Sequence, residues 1–245
     1  MHGLGRSSED FEGVRRALGN TWPTIAPDLP FHGAAAARTP PDAAATLTAF
    51  ADTVVAAVHD ARAERVALIG HSLGAAVCIE AARRLGPRVA HVIALDALLN
   101  PRVYPRQPAA LVAVSRVASR LLHPLLAHLL ARALLPAPRD PARLHEVVRG
   151  LRAVPARVAA EASADLAAWD RDAALTAITA PVTLVPAAPF YRPTAFAALT
   201  PRCALSGPVA GSHFFLLERP EETAACLRSI LVATTDHTSS SPHAR

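Results

Sequence analysis

Gly-His-Ser-Leu-Gly at 70–74 sets Ser72 between two glycines, directly after the apolar run Arg65–Ile69 and directly before a helix-forming stretch. That placement, more than the pattern, predicts a nucleophile elbow: a sharp strand-to-helix turn that strains the serine and lifts its hydroxyl above the sheet. Small residues at Gly70 and Gly74 let neighbouring backbone pass close by, and the helix N-terminus adds partial positive charge where an oxyanion would form. A serine alone is a weak nucleophile and needs a base.

The chain holds 11 histidines. His59 falls on a helix, His71 packs within the elbow, and His123, His128 and His145 belong to a helical region. Their spacing is not that of a metal site, and no Cys/His or Asp/Glu cluster supports one, so neither metal nor cofactor is expected. His213 stands apart in "AGSHFFLLERPEE", a Gly/Ser loop between the last predicted strand and the final helix. Such a loop can bring an imidazole over the sheet edge as general base to Ser72.

These groups need a scaffold. "TIAPDLP" (24–30), "RVALIG" (65–70), "RVAHVIALD" (88–96), "APVTLV" (180–185) and "RCALSG" (202–207) are short apolar runs ending in turn residues, and read as buried strands. Helix-period stretches fill 42–62, with Asp42 as N-cap, and 72–86, stopped by Gly86-Pro87. Strand and helix alternate through residue 96, as in a parallel sheet covered by helices on both faces. Residues 97–175 then carry several helical patterns and no convincing strand, including 109–135 with an apolar stripe kinked at Pro124. The expected organisation is an α/β core over 1–96 and 176–235, a helical cap inserted at 97–175, and a disordered tail at 236–245.

In this order, "HGLGRSSEDF", "IAPDLPFHG", "VALIGHSLGAAV", "DLAAWDRDAALTAITAPVTLV" and "GSHFFLLERPEE" resemble the α/β-hydrolase superfamily from residue 2 to about 233. The resemblance implies an α/β-hydrolase fold with Ser72 as nucleophile and His213 as base. It also implies an oxyanion hole from the backbone N–H groups of Leu4 and Leu73, with Gly3 and His71 beside the substrate. A serine at the nucleophile position argues against the dehalogenase and epoxide-hydrolase branches, which use a carboxylate there.

Two departures stand out. The third triad member usually follows the strand before the histidine, yet "TLVPAAPFYRP" (183–193) contains no acid, and no carboxylate lies between Asp172 and Glu218. Asp96, ending the strand after the nucleophile strand, offers a replacement, as in some branches of the superfamily; its other reading is a turn residue or helix cap at the start of the insertion. Asp170 and Asp172 read as anchors of the return from the cap, and Asp28 as structural. The second departure is the His-Gly loop at residue 2. The strand that feeds such a loop is central, between the strands at 24–28 and 65–70, so the natural chain is expected to begin upstream of Met1, with that N-terminal strand missing here.

Composition bounds the remainder. All 25 basic residues are Arg and the formal charge is +5, with 22 prolines, as in a GC-rich bacterial genome. Residues 102–157 hold ten Arg against Asp140 and Glu146, and the rest of the chain is slightly acidic. Aromatics at 4% leave nucleic-acid binding without support. The scattered Cys78, Cys203 and Cys226 read as free thiols in a reducing cytoplasm. No signal-peptide layout is present, and the most apolar run, 121–135, is broken by His123, Pro124, His128 and Arg132, so stable membrane insertion is not expected.

The expectation is a cytoplasmic serine hydrolase of carboxylic esters or thioesters working through an acyl-serine. Leu111, Val114, Leu121, Leu122, Leu125 and Leu129 would line a hydrophobic pocket. The Arg excess reads first as a solvated helical face from a GC-rich genome; the alternative is that it draws an anionic substrate, an acyl carrier protein or a membrane surface. Two rivals use the same residues: a ligand-binding sensor on an inactive hydrolase fold, or an acyltransferase or cyclase in which an alcohol or amine intercepts the acyl-enzyme.

Overall fold

In a computed structural model, which describes residues 1–97, 107–191 and 203–239, four parallel strands form one sheet. They are β1 (Val66–His71), β2 (Val89–Leu95), β3 (Val182–Val185) and β4 (Cys203–Leu205), in the order β1-β2-β3-β4. Alternation along β2 builds the two faces of the molecule. Val92 and Ala94 enter one core cluster, and Ile93 and Leu95 the other.

The first cluster is covered by α2 (Leu47–Asp60) and α3 (Leu73–Leu85), the second by α1 (Glu12–Leu18) and the C-terminal helices. Among the described residues, five helices lie between β2 and β3: α4 (Ala109–Leu121), α5 (His123–Leu134), α6 (Pro141–Ala153), α7 (Ala156–Ala168) and α8 (Arg171–Thr176). After β4 the chain closes with α9 (Phe215–Glu218) and α10 (Pro220–Ser239). Helix α10 thus runs past 236, where the sequence predicts a disordered tail, and residues 240–245 of that tail lie outside the described residues.

Some expectations need correction. Residues 24–30 form no strand; only the Met1 backbone pairs with the outer edge of β1, through His71 N–H to Met1 O (2.9 Å) and the terminal amine to Ile69 O. A single extended segment without a ladder partner cannot satisfy its backbone as a strand. Helix α2 starts at Leu47, not Asp42: Thr46 is the cap, accepting from Ala49 N–H at 3.2 Å. The stretch 109–135 is two helices bent by 104° at Leu122, a break and not a kink.

Candidate active site

The elbow is built by close backbone approach. A Cβ on Gly70 would lie 2.3 Å from Gly74 O, and one on Gly74 would lie 2.4 Å from both Met1 O and His2 O. Neither position admits a side chain. Ser72 stands between them at φ 54°, ψ −121°, in the left-handed half of backbone space, and its N–H donates to Leu95 O at 3.0 Å. Its hydroxyl caps no helix N–H. Strain that spends a side chain's capping ability leaves Oγ open for chemistry.

Asp96 ends β2 with a positive φ of 41°. Its Oδ1 accepts from Ala187 N–H (2.9 Å) and its Oδ2 accepts from His213 Nδ1 (2.6 Å). The loop after β3, which lacks a carboxylate, supplies a backbone donor to the carboxylate of the neighbouring strand. With Nδ1 donating to Asp96, Nε2 of His213 is left as the basic nitrogen.

Two further groups hold the His213 loop. Glu218 accepts from Ser212 N–H (2.7 Å) and Ser212 Oγ (2.6 Å). His71 Nε2 donates to the His213 carbonyl (2.8 Å), with the two rings 4.5 Å apart. Burial, then the neighbouring His213, pushes the His71 pKa well below its ordinary 6.5, so the ring is neutral. The family resemblance places His71 beside the substrate. The ring does line the cavity, but its Nε2 is committed to the protein.

The His-Gly loop crosses directly over the elbow, with a Cβ on Gly3 only 3.2 Å from Ser72 Cβ. Buried His2 fixes its course: Nδ1 donates to Gly3 O (2.9 Å) and Nε2 accepts from Leu29 N–H (3.0 Å). Nε2 also lies 3.8 Å from Asp28 Oδ1, but a nitrogen that accepts from Leu29 carries no proton, so this is no ion pair. Burial first, and then His32, brings the His2 pKa down to about 3. Arg6 secures the far end, pairing with Asp10 through two bonds (2.7 and 2.6 Å) and with Glu146 on α6 (2.6 Å). Among the described residues, neither Leu4 N–H nor Leu73 N–H has a protein acceptor.

Gly3, Leu4, His71, Ser72, Leu73, Asp96 and His213 therefore meet at one cavity of about 650 Å³. Ser72 and His213 share it without a hydrogen bond to each other, as is common before substrate arrives. The roof is apolar, from Leu130, Leu134, Leu151 and Leu166 of α5, α6 and α7, with Arg6, Gln107 and Arg171 as polar contributors. This corrects the expected lining: Leu111, Val114, Leu121, Leu122, Leu125 and Leu129 are exposed on the outside of α4 and α5. The stripe was legible in the sequence, but not which face of it turns inward. Asp170 caps α8 by accepting from Ala173 N–H (3.0 Å), and Asp28 pins two loops through Ser8 and Ala34 N–H. No group of three or more His, Cys, Asp or Glu among the described residues could hold a metal ion.

A model of the alpha/beta hydrolase family matches residues 1–226. The chain belongs to the alpha/beta hydrolase family. Solved structures share the fold of this hydrolase at low identity. A thermophilic esterase from Thermogutta terrifontis aligns with a TM-score of 0.78 at 20% identity, over 95% of this chain and 88% of that one. A hydrolase from Oleispira antarctica gives 0.76 at 16% identity, over 94% and 88%. The N-acyl homoserine lactonase AidH gives 0.68 at 19% identity, over 96% and 88%. No curated protein matches the sequence.

Proposed function

We propose that this hydrolase cleaves carboxylic esters or thioesters through an acyl-serine intermediate, with Ser72, His213 and Asp96 as its triad. The observation that carries the reading is the Asp96–His213 bond in the lining of a cavity that also holds the strained Ser72. Asp96 fixes the His213 tautomer, so Nε2 takes the Ser72 proton as Oγ attacks the acyl carbon. The tetrahedral oxyanion is received by the open N–H groups of Leu4 and Leu73. Collapse breaks the bond to the alcohol or thiol, which leaves with the proton from His213. Water, deprotonated by the same nitrogen, then releases the acid.

The apolar roof favours a hydrophobic acyl group. An esterase and a lactonase are among the structural neighbours, in keeping with this reading. The sensor reading rests on the missing acid and the missing strand; Asp96 beside His213 offers an acid and so favours the enzyme reading.

The test is labelling by a fluorophosphonate probe with mass-spectrometric location of the adduct, alongside hydrolysis of a p-nitrophenyl ester series. Modification of Ser72, abolished in Ser72→Ala, together with release of free acid is the expected result. Folded protein that neither labels nor hydrolyses overturns the reading. Transfer of the acyl group to an added alcohol in preference to water would move it to acyl transfer.

A further inference from the structure

Among the described residues, the outer face of α4 and α5 is apolar and exposed. Val114 is 65% exposed, Leu121 75% and Leu125 54%, and Leu111, Val117, Leu122 and Leu129 are at least half exposed. Their spacing, 111, 114, 117, 121 and then 122, 125, 129, makes one stripe per helix, and the stripes meet at the bend. Only Val112 of α4 is buried, so this helix gives its neighbours one side and presents a second apolar side outward. Contiguous exposed apolar surface of this kind marks an interaction site.

Charge selects the occupant. Helices α4 and α5 carry Arg116, Arg120 and Arg132 and no acid. These three, with Arg149 on α6, have no acidic partner among the described residues. A second copy docking by a two-fold axis would set this cationic face against itself. Protein interfaces rely on aromatic anchors, and 109–135 contains no Phe, Trp or Tyr. Exposed aliphatic stripes on helices whose charged residues are all Arg fit a surface that is apolar below and negative above, where Arg heads meet phosphates. The surface also leads inward: Leu130, exposed on α5, lines the cavity that holds Ser72.

We propose that the outer face of α4 and α5 docks on an anionic lipid surface, the two helices lying in the headgroup plane without crossing it. Among the described residues no single helix is long and apolar enough to cross a membrane; α4 and α5 together are, by length and composition only, but they are bent by 104° at their junction, and in this docking they lie flat. Docking stands apart from the ester-hydrolase reading, because it is measured without turnover.

The experiment is flotation of the full chain, carrying Ser72→Ala to leave lipid intact, with vesicles of phosphatidylglycerol plus phosphatidylcholine and with phosphatidylcholine alone. Association with the anionic vesicles is expected to be stronger by about tenfold or more, and to fall as salt rises. Leu121→Asp with Leu125→Asp abolishes it, and Arg116→Gln with Arg120→Gln weakens it, while circular dichroism is unchanged. In a Ser72 background the leucine pair, outside the cavity lining, leaves hydrolysis of a soluble short-chain ester intact. Protein that stays off anionic vesicles overturns the proposal, as does flotation indifferent to both double variants. A dimer that the leucine pair dissolves, without vesicle binding, would assign the face to a second copy.

Discussion

Asp96 and His213 are 117 positions apart in the chain, and Asp96 Oδ2 accepts from His213 Nδ1 at 2.6 Å. Asp96 is itself aimed by a positive φ and by the Ala187 N–H from the next strand's loop, so the pair is fixed from three segments of the chain. Asp96→Asn keeps the shape and removes the charge. On the triad reading, kcat on a p-nitrophenyl ester falls by about 10³- to 10⁴-fold, with KM little changed. Retention of most of the activity would assign Asp96 to the structure and not the chemistry.

Gly74→Ala tests the backbone crossing. Its Cβ would lie 2.4 Å from the carbonyl oxygens of Met1 and His2, so the His-Gly loop must lift away from the elbow. Overpacking of this kind costs about 1–3 kcal/mol. The variant is expected to lose several degrees of Tm and to lose activity beyond what stability explains, because Leu4 N–H moves with the loop. Gly207→Ala, with nothing within 4 Å of its Cβ, is the control and leaves both unchanged.

The elements that place Ser72 were legible because local chemistry dictates them. "RVALIGHSLGAAV" writes a buried strand, a forced turn and a helix in consecutive residues. Asp96 could be named only by elimination, since its bond to His213 spans 117 positions that no periodicity links. Residues 24–30 read as a strand because their composition suits one; partners decide strands, and composition does not report partners. The cap helices were visible as helices, but an amphipathic stripe says nothing of whether its apolar side meets core or solvent. Glu218, which clamps Ser212, and His2, which steers the loop, left a trace only as polar residues inside the blocks that carried the family resemblance.

On the triad reading, His71 positions His213. Its Nε2–H is a buried donor to the His213 carbonyl, and its own backbone belongs to the elbow, so it couples base to nucleophile. His71→Phe keeps the ring and strands the carbonyl, a loss of about 1–3 kcal/mol. If part of that loss is taken as misplacement of His213, kcat falls about tenfold or more while KM and the fluorophosphonate adduct at Ser72 persist. An unchanged kcat with a lowered Tm would make the contact purely structural.

The buried neutral histidines set an acid limit on stability. His2 titrates at about 3 in the fold, His71 well below 6.5, and burial lowers His32 as well. Unfolded, each titrates near 6.5. Below about pH 6.5 the unfolded chain therefore binds protons that the native state refuses, and stability present at neutral pH is lost as pH falls toward the folded values. Each such group contributes a slope of about 1.4 kcal/mol per pH unit within that window. Urea unfolding between about pH 7 and 5 is expected to show steadily falling stability, with a shallower slope in His71→Phe because one titrating group is gone. Stability that stays level across that range would mean these rings accept protons in the fold, and with them the single His2 tautomer that ties Gly3 to Leu29 would be lost.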